Sequence, residues 1–524
     1  MEKSNRLSDI WSDMDREKGD LIERSEAYAR WTIPNICLPD NANQTNDEQD
    51  KGCVDIGSQV VNHLANRVVD LLFPVNRPFF TLAMTPETEL EISQEMDAEQ
   101  KGQFMEQVTE ATTRLEKIAM RGLDLTHYRP IAVQAAKHMI ITGNTLIRKM
   151  KNGMRVEYGI KRFGVRRNID GGVIEIMLYD KKRLDTFTEA EQATIKAPRE
   201  NLSLKNTDEV ELLTYYKRDG KRWVICQEAE GQPVGGTSYQ TDEDLDVTVL
   251  SWTLASGEHY GRGAVEDNAV LFHKLDVTGE AVLELMAVIC DVKFLIRPGS
   301  PLAVDAAGLA ASPRGSYHVG NEGDITVPEL GKRGDLQVML AQIDTWEAKL
   351  SKIFLLSNVR DAERVTAEEI RMIANELESS FGGLYSRLAV SWQEKEANKA
   401  LQGVDLKSVL GGDLAGMFEV LVTTGIESLS REGQLDNLRM AIGDMQMLEA
   451  VPEELRGTID PLRFARYVFS NRYVDINLFL KTQQQLQEEH EHELAMAGRL
   501  DAQAGAQEVA THAGKAAIDQ SQSN

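Results

Sequence analysis

Two arginines, Arg360 and Arg364, lie four residues apart in one polar stretch and could contact a phosphate backbone. They lie in the polar run from Ser357 to Arg364, which predicts an exposed loop. A guanidinium group binds phosphate oxygens through several N–H donors, so the loop could face a nucleic acid. The two arginines could equally pair with carboxylates and order the loop, and both roles are compatible. The neighbouring carboxylates are Asp361, Glu363 and Glu368.

Patterns typical of an enzyme are absent from the sequence. No P-loop, G-x-S-x-G or H-E-x-x-H motif occurs. The Gly-rich turn from Gly257 to Gly263 opens a predicted helix, but its match to a dinucleotide fingerprint is incomplete, which favours a structural turn. His490 and His492 are two residues apart on a predicted helix and point in different directions, so a solvated acidic face is favoured over a metal site. We expect no catalytic residue, no cofactor and no metal.

A basic group flanks a predicted hairpin. Its side chains could touch nucleic acid, lie on a solvated face, or form ion pairs between subunits. The group comprises Lys161, Arg162, Arg166 and Arg167, with Lys181, Lys182 and Arg183 after the next strand.

The composition of the chain excludes some classes of function and location. The 524 residues carry a net charge of −25, which argues against tight, sequence-specific nucleic-acid binding but not against a channel through which DNA slides. The four cysteines are scattered, which is typical of free thiols in a reducing cytosol. The charged N-terminus and the lack of a run of about 20 apolar residues predict a soluble protein without a signal peptide.

The candidate loop precedes a strongly specified helix. Thr366 and Glu369 have the spacing of a capping box, and apolar residues then recur every three or four positions. These residues are Ile370, Ile373, Leu377, Phe381, Leu384 and Leu388. The pattern predicts one helix from Thr366 to about Ala400.

Helices dominate the first part of the chain. Apolar spacing predicts one helix from Leu7 to Tyr28 and a second from Ser58 to about Pro74. Further helices are predicted from Glu87 to Gly122 and from Pro130 to Ile141. Proline at the first position and Gly143 after the end fit the usual asymmetry of helix termini.

Short β-branched and aromatic runs then predict an antiparallel β-rich unit over about 144–255, with hairpin turns at Asp170-Gly171 and Asp219-Gly220. Two helices of roughly 40 and 33 Å come next, from Gly263 to Cys290 and from Asp335 to Leu356. They bracket a segment with strand-like runs at Lys293–Ile296 and Ser316–Val319. Helices are predicted again at 413–430, 434–450 and 461–482.

The sequence resembles a known family around the candidate loop. The runs Arg364-Val-Thr-Ala-Glu-Glu-Ile-Arg371, Glu376-Leu-Glu378 and Gly382-Gly-Leu-Tyr-Ser386 resemble the portal, or head-to-tail connector, proteins of short-tailed, T-seven-like bacteriophages. Supporting stretches are Leu64–Pro74, Ile141–Asn144 and His259–Arg262, with a weaker one at Thr424–Ser428. The resemblance extends from Tyr28 to about Leu438, and residues 185–245, 298–335 and those after about 440 do not clearly match.

The resemblance implies an α+β portal fold, mostly helical, in an elongated subunit that forms a closed ring. The implied parts are a wing (1–262, β-rich over 144–255), stem helices (263–292 and 335–356) around a small β clip (293–334), a tunnel loop (357–365), a long wing helix (366–412), a helical crown (413–500) and a disordered tail (501–524). The implied DNA-facing residues are Ser357, Asn358, Arg360 and Arg364.

The function implied by the resemblance is a ring, of twelve subunits in this family, at one capsid vertex. Double-stranded DNA would pass through it during packaging and ejection. The implied partners are other copies of the chain, major capsid and scaffolding proteins, the terminase large subunit, a tail adaptor and internal core or ejection proteins, with no membrane. The protein would reside in the virion, and in the bacterial host cytoplasm during assembly. Two alternatives remain: a helical scaffolding or interaction protein of the virion interior, and an enzyme acting on nucleic acid.

Overall fold

The computed structural model describes most of the first 402 residues and short pieces beyond them. The described residues are 6–39, 52–74, 78–84, 98–198, 203–290, 294–304, 306–313, 316–317, 319–326, 333–356, 379, 381, 383–402, 420–423, 442–445, 463–465 and 467–468. The chain divides into two units, of which the first comprises Met1–Ala83, Thr113–Gly411 and Leu421–Ser428, and the second comprises the remainder. Most of the described residues belong to the first unit.

Helices and strands are both abundant, which confirms the α+β class. The helices are α1 (Leu7–Glu17), α2 (Gly19–Trp31), α3 (Gly57–Leu72), α4 (Ala98–Leu125), α5 (Tyr128–Thr142), α6 (Glu189–Lys196), α7 (Ala264–Asp267), α8 (Ala269–Cys290), α9 (Pro301–Val304), α10 (Ala306–Ala311), α11 (Arg333–Ile353), α12 (Leu384–Leu388) and α13 (Lys395–Leu401). The strands are β1 (Thr81–Met84), β2 (Asn144–Lys149), β3 (Arg155–Tyr158), β4 (Phe163–Arg167), β5 (Val173–Arg183), β6 (Glu209–Asp219), β7 (Arg222–Ala229), β8 (Gln232–Pro233), β9 (Ser238–Thr241), β10 (Val247–Ser251), β11 (Leu295–Ile296), β12 (Ile325–Thr326) and β13 (Val420–Thr423).

The N-terminal segment forms two helices, so the prediction of one continuous helix to Tyr28 is wrong. The interruption falls at Lys18, whose buried amine donates to the backbone carbonyls of Ile160 and Phe163, each at 2.9 Å. Its third partner is Asp15 at 3.3 Å. Burial lowers the pKa of Lys18 to about 8. The helix is therefore interrupted at the residue whose side chain ties it to the start of β4.

Helices α3 and α5 pack against each other in the first unit. The apolar stripe of α3 is buried, and α5 meets it with small residues that let the backbones approach closely. The buried side chains are Val60, Val61, Leu64 and Val68 on α3 and Ala132, Ala135, Ala136 and Met139 on α5.

Helix α5 begins two residues earlier than predicted, at Tyr128. Pro130 is thus its third residue and not its first, which is tolerated because N–H groups of the first turn lack helical partners. Gly143 ends the helix as predicted: it adopts the left-handed conformation (φ 79°), and its N–H donates to the carbonyl of Met139 at 3.0 Å.

The β-rich unit predicted at 144–255 is confirmed. Strands β10, β2 and β3 form one antiparallel sheet, and β4 to β8 form a second in sequential order, with β9 beside β7. The turns at Asp170-Gly171 and Asp219-Gly220 join β4 to β5 and β6 to β7. Helix α1 covers the second sheet, where Met14 packs against Met177, Leu213 and Tyr215.

The segment from Gly383 to Leu401 departs from the straight helix predicted to Ala400. Gly383 is left-handed (φ 80°), so α12 begins only at Leu384, and residues Ala389–Glu394 form a π-helix before α13. The buried residues recur every four positions, as in Leu384, Leu388, Trp392 and Glu396. On an α-helix of 3.6 residues per turn such a stripe rotates by about 40° per step. The wider π turn offsets that rotation and keeps the stripe on one side.

Two further predictions are wrong where the structure can be compared with them. The helix predicted at 413–430, in the predicted crown, contains strand β13, which pairs with β1. The second strand-like run, Ser316–Val319, is not a strand at its described positions; the partner of β11 is β12. Residues 442–445, 463–465 and 467–468 are helical, as predicted. The Thr366–Glu369 capping box and residues 87–97 of the helix predicted from Glu87 lie outside the described residues.

The buried imidazole of His138 on α5 gives a testable pH dependence. Burial lowers the pKa of His138 to about 4, whereas an unfolded histidine titrates near 6.5. Between these values the unfolded chain binds the additional proton, so the free energy of unfolding should fall as the pH drops from 6.5 to 4, by up to roughly 3 kcal/mol. Urea unfolding at several pH values should show this component in the wild type and not in His138→Gln. Parallel pH profiles would contradict it.

Candidate functional site

Helices α8 and α11 pack against each other and form the two-helix stem, by which we mean residues Ala269–Cys290 and Arg333–Ile353. The two helices contact each other, and Phe272, Leu275 and Val282 of α8 and Leu350 of α11 are buried. Phe354, immediately after α11, meets Phe272 edge to face with ring centroids 5.8 Å apart. The helix predicted from Gly263 to Cys290 is interrupted at Asn268 and forms α7 and α8, so the prediction of one continuous helix is wrong there. The helix predicted from Asp335 to Leu356 is present as α11, with bounds that differ by a few residues.

The two-helix stem leaves much of its apolar surface uncovered by the described chain. Val270 is 70% exposed, Leu283 59% and Val338 70%. The stem face consists of the exposed apolar residues Val270, Val277, Leu283, Met286 and Val288 on α8 with Val338, Leu340 and Ile353 on α11. At about 100° per residue, Val270, Val277 and Val288 lie on one side of α8, and Leu283 and Met286 lie on the other side. Exposed apolar surface on a folded chain favours association.

A buried carboxylate, Asp276, anchors α8 to the N-terminal segments. Its Oδ2 accepts from Trp31 Nε1 at 3.0 Å and from Arg30 Nη2 at 3.2 Å, and its Oδ1 accepts from the backbone N–H of Cys53 at 2.8 Å. An isolated buried carboxylate would be costly, and these three donors offset that cost. The anchor fixes one face of α8 and leaves the stem face free.

Between the two helices lies a small β segment whose apolar side chains are exposed. Strands β11 and β12 pair antiparallel through Leu295 and Ile296. The aromatic ring of Tyr317 is fully exposed, and Phe294 is 65% exposed. The segment therefore offers aromatic and apolar groups for contact with another surface.

The four residues predicted to face DNA, Ser357, Asn358, Arg360 and Arg364, lie outside the described residues. The described chain leads to them through Leu355 and Leu356. The carbonyl of Leu355 accepts from His63 Nε2 at 3.1 Å and from Arg67 Nη1 at 3.2 Å. The structure thus describes what holds the chain just before the predicted loop.

The first four members of the basic group, which lie on or next to the β4–β5 hairpin, form ion pairs and hydrogen bonds within their own chain. This finding replaces the three interpretations given from sequence: a nucleic-acid contact, a free solvated face and ion pairs between subunits. Each side chain has a partner in its own chain. The pairs are Lys161 with Glu26 (2.6 Å), Arg162 with Asp180 (2.6 Å), Arg166 with Glu17 (2.7 Å) and Arg167 with the carbonyls of His259 (3.1 Å) and Gly171 (3.0 Å).

The turn from Gly257 to Gly263 uses its backbone within the fold, which fits a structural role. The side chain of Asn144 donates to the Gly261 carbonyl at 2.8 Å and accepts from the Gly261 N–H at 2.7 Å. A Cβ on Gly263 would lie 2.5 Å from the Ile140 carbonyl. The stretches Ile141–Asn144 and His259–Arg262, distant in sequence, therefore contact each other.

The part of the chain described by the structure contains no group of three or more His, Cys, Asp or Glu residues placed to hold a metal ion. No helix within the same part is long and apolar enough to cross a membrane.

Sequence reasoning missed Asp276, His63, Arg67 and Leu355. Asp276 could have been found from the sequence, because it comes directly after Leu275, a residue of the apolar stripe of a predicted helix. The signal for His63 and Arg67 was weaker: they are one turn apart on a helix whose other face is apolar. The positive φ of Leu355 could not be predicted, because no local sequence pattern indicates that a leucine adopts this conformation.

The amino-acid sequence is similar to known proteins over most of its length. The family model described as "Bacteriophage head to tail connecting protein" matches residues 4–466. The chain is 29% identical over 490 residues to the portal protein of Enterobacteria phage SP6, covering 93% of this chain and 92% of that protein. The portal proteins of Pseudomonas phage phiKMV and Escherichia phage T7 are 27% and 24% identical, covering 92% and 83% of this chain and 94% and 80% of their own lengths.

One solved structure is a weaker neighbour. A chain of the structure titled "Neck of native GTA particle computed with C12 symmetry" has a TM-score of 0.28 and 11% identity, covering 75% of this chain and 97% of that chain. At that TM-score nothing about this chain rests on the likeness.

The anchor at Asp276 gives a stability prediction. Asp276→Ala should lower the free energy of unfolding by roughly 2–4 kcal/mol, because three donors lose their acceptor. Glu280→Ala, an exposed carboxylate one turn after Asp276 on α8, is the matched control and should change it by less than about 0.5 kcal/mol. Urea unfolding of both variants checks this, and equal effects would show that Asp276 is not an anchor.

Proposed function

This chain belongs to the bacteriophage head to tail connecting proteins, and from that premise we propose that it acts as a closed ring through which double-stranded DNA passes. Its function is that of a portal protein of a short-tailed phage. The ring would sit at one vertex of the capsid and conduct DNA inward during packaging and outward during ejection. The observation that carries the proposal is the family match over residues 4–466.

The stem face supports assembly into a ring. A ring forms from one surface of each subunit meeting a different surface of the next. The exposed valines and leucines of α8 and α11 supply apolar area that the described chain does not cover. We propose that the neighbouring subunit covers this face, and that twelve subunits close the ring.

The loop arginines complete the proposed channel. Arg360 and Arg364, with Ser357 and Asn358, would face the DNA. One weak phosphate contact repeated around a ring gives a large but shallow interaction, and a shallow interaction lets a polyanion slide. The net charge of −25 fits a channel of this kind better than a tight DNA-binding surface.

The β segment between the stem helices would meet external partners. Phe294 and Tyr317 are exposed there, and we assign this clip to docking of the terminase large subunit during packaging and of the tail adaptor afterwards. Major capsid, scaffolding and internal core proteins would contact other surfaces. Assembly would take place in the bacterial host cytoplasm. This role needs no catalytic site in the chain, because a separate terminase would supply the ATP-driven work.

The scaffolding alternative has less support. A helical scaffolding protein needs neither the two antiparallel sheets over 144–251 nor a match to connecting proteins across most of the chain. The wing, stem, clip, tunnel-loop and crown assignments are part of the present proposal.

Ring assembly should depend on the stem face. Leu283→Glu with Val288→Glu should leave a folded monomer, because carboxylates on a buried interface are strongly unfavourable. Ile169→Glu, at an 84% exposed position on the β4–β5 turn, is the control. Electron microscopy of the purified proteins should show rings with a central hole for the wild type and the control only. Wild-type-like rings from the double variant would contradict the assignment of this face.

DNA passage should depend on the loop arginines. Arg360→Ala with Arg364→Ala should leave ring assembly intact and reduce packaging or retention of the genome, because the phosphate contacts are lost. Rings are counted by electron microscopy, and encapsidated DNA is measured by its length and nuclease resistance. Normal packaging of full-length genomes by the double variant would remove these arginines from the channel function.

A further inference from the structure

The end of helix α11 carries a backbone feature that its sequence does not favour. The N–H of Leu356 donates to the Ser351 carbonyl at 2.7 Å, and the N–H of Leu355 donates to the Lys352 carbonyl at 3.3 Å. These are the two hydrogen bonds of a Schellman motif, which ends a helix with one left-handed residue, usually glycine. Here that residue is Leu355, with φ 58°.

A leucine in this conformation costs about 1–2 kcal/mol and persists only where its surroundings enforce it. Within the described residues, the other non-glycine positions with positive φ are His127 and Glu230. Leu355 is 7% exposed, and Phe354 before it is fully buried against Phe272. The strained turn is therefore packed into the first unit and not left at its surface.

Two side chains hold this turn from outside. His63 Nε2 lies 3.1 Å and Arg67 Nη1 3.2 Å from the Leu355 carbonyl oxygen. Both residues belong to α3, four positions apart, so they project from one face of a helix whose opposite stripe lies in the core. We call His63, Arg67 and the Leu355 carbonyl the exit clamp.

In the exit clamp, the two side chains are the hydrogen-bond donors and the Leu355 carbonyl is the acceptor. A carbonyl oxygen only accepts hydrogen bonds, so His63 must carry a proton on Nε2. Burial and the neighbouring Arg67 lower the pKa of His63, so its imidazole stays neutral at pH 7 and donates as the Nε2–H tautomer. The arginine adds a charge-assisted donor.

We propose that His63 and Arg67 are positioning residues that hold Leu355 in its left-handed conformation and thereby set the direction in which the chain leaves the stem toward Arg360 and Arg364. This inference rests on the proposed function. An ordinary helix end would use glycine and need no side-chain donors. Glycine adopts the left-handed conformation without strain, whereas a leucine keeps it only where neighbouring groups, here two donors from the core helix, hold it there.

The test compares a variant that lacks both donors of the exit clamp with a variant that keeps a donor at position 63. His63→Leu with Arg67→Met removes both donors, and His63→Gln is the conservative control because its amide keeps an N–H donor. All variants are made in full-length protein and in phage that depend on it. Three quantities are measured: ring formation by electron microscopy, amide hydrogen exchange of residues 351–356, and the yield of nuclease-resistant genomes.

The double variant should form rings as the wild type does. Exchange at Leu355 and Leu356 should rise about tenfold, as expected when roughly 1.4 kcal/mol of hydrogen bonding is lost. Genome yield should fall in parallel, and His63→Gln should stay near wild type in all three measurements. Adding Leu355→Gly to the double variant should restore both exchange protection and genome yield, because glycine adopts the left-handed conformation unaided.

Three outcomes would overturn the inference: unchanged exchange in the double variant, raised exchange with a normal genome yield, or no rescue by Leu355→Gly. If His63→Leu with Arg67→Met does not fold, the genome yields of two other variants are compared: His63→Leu alone, and His63→Leu combined with Leu355→Gly. A lower yield for the combined variant than for His63→Leu alone overturns the inference. Failure of the wild type to form rings would instead count against the proposed function.

Discussion

The buried carboxylate of Asp276 is the constraint on which the arrangement of the stem depends. A carboxylate away from water is tolerated only where donors surround it, and here they come from Arg30, Trp31 and the backbone of Cys53. Helix α8 therefore cannot rotate about its axis without losing them. With that rotation fixed, the side of α8 that meets α11 and the positions of its exposed apolar residues are fixed as well. The surface available for assembly is thus decided by a polar contact that the same helix makes with the N-terminal segments.

Much of the fold can be derived from local sequence rules, and the differences have physical causes. Gly143, Asp170-Gly171 and Asp219-Gly220 require particular backbone geometries, so the end of α5 and two hairpins could be predicted. The break at Lys18 could not, because a lysine in a helical pattern is expected to be solvent-exposed, while here its amine binds two carbonyls about 140 residues away. Strand β13 exists only through its pairing with β1, a partner that no local window contains.

The functional site divides in the same way. Helices α8 and α11 could be predicted from apolar periodicity, but which of their apolar residues stay exposed could not. The contact between Asn144 and Gly261 could not be derived from either stretch alone, although both belong to the segments that resemble the portal family. The basic group shows the opposite error: Arg162 and Arg166 look available in sequence, but Asp180, Glu17 and Glu175 already neutralise them. Proximity in sequence says little about which charge a long side chain will reach.

The π-helix of Ala389–Glu394 has a consequence for how this chain tolerates change in length. A π turn contains about one residue more than the α turn it replaces. Losing a single residue between Ala389 and Glu394 would therefore convert the segment to ordinary α-helix while Leu388 and Glu396 stay on the same side, so Glu396 would keep its ion pair with Arg155. A deletion within α13 would instead rotate the residues beyond it by about 100° around the helix axis and separate Lys399 from Thr248. Within this stretch, the π turn is thus the place where the chain could shorten by one residue without changing which side chains meet the sheet of β2, β3 and β10.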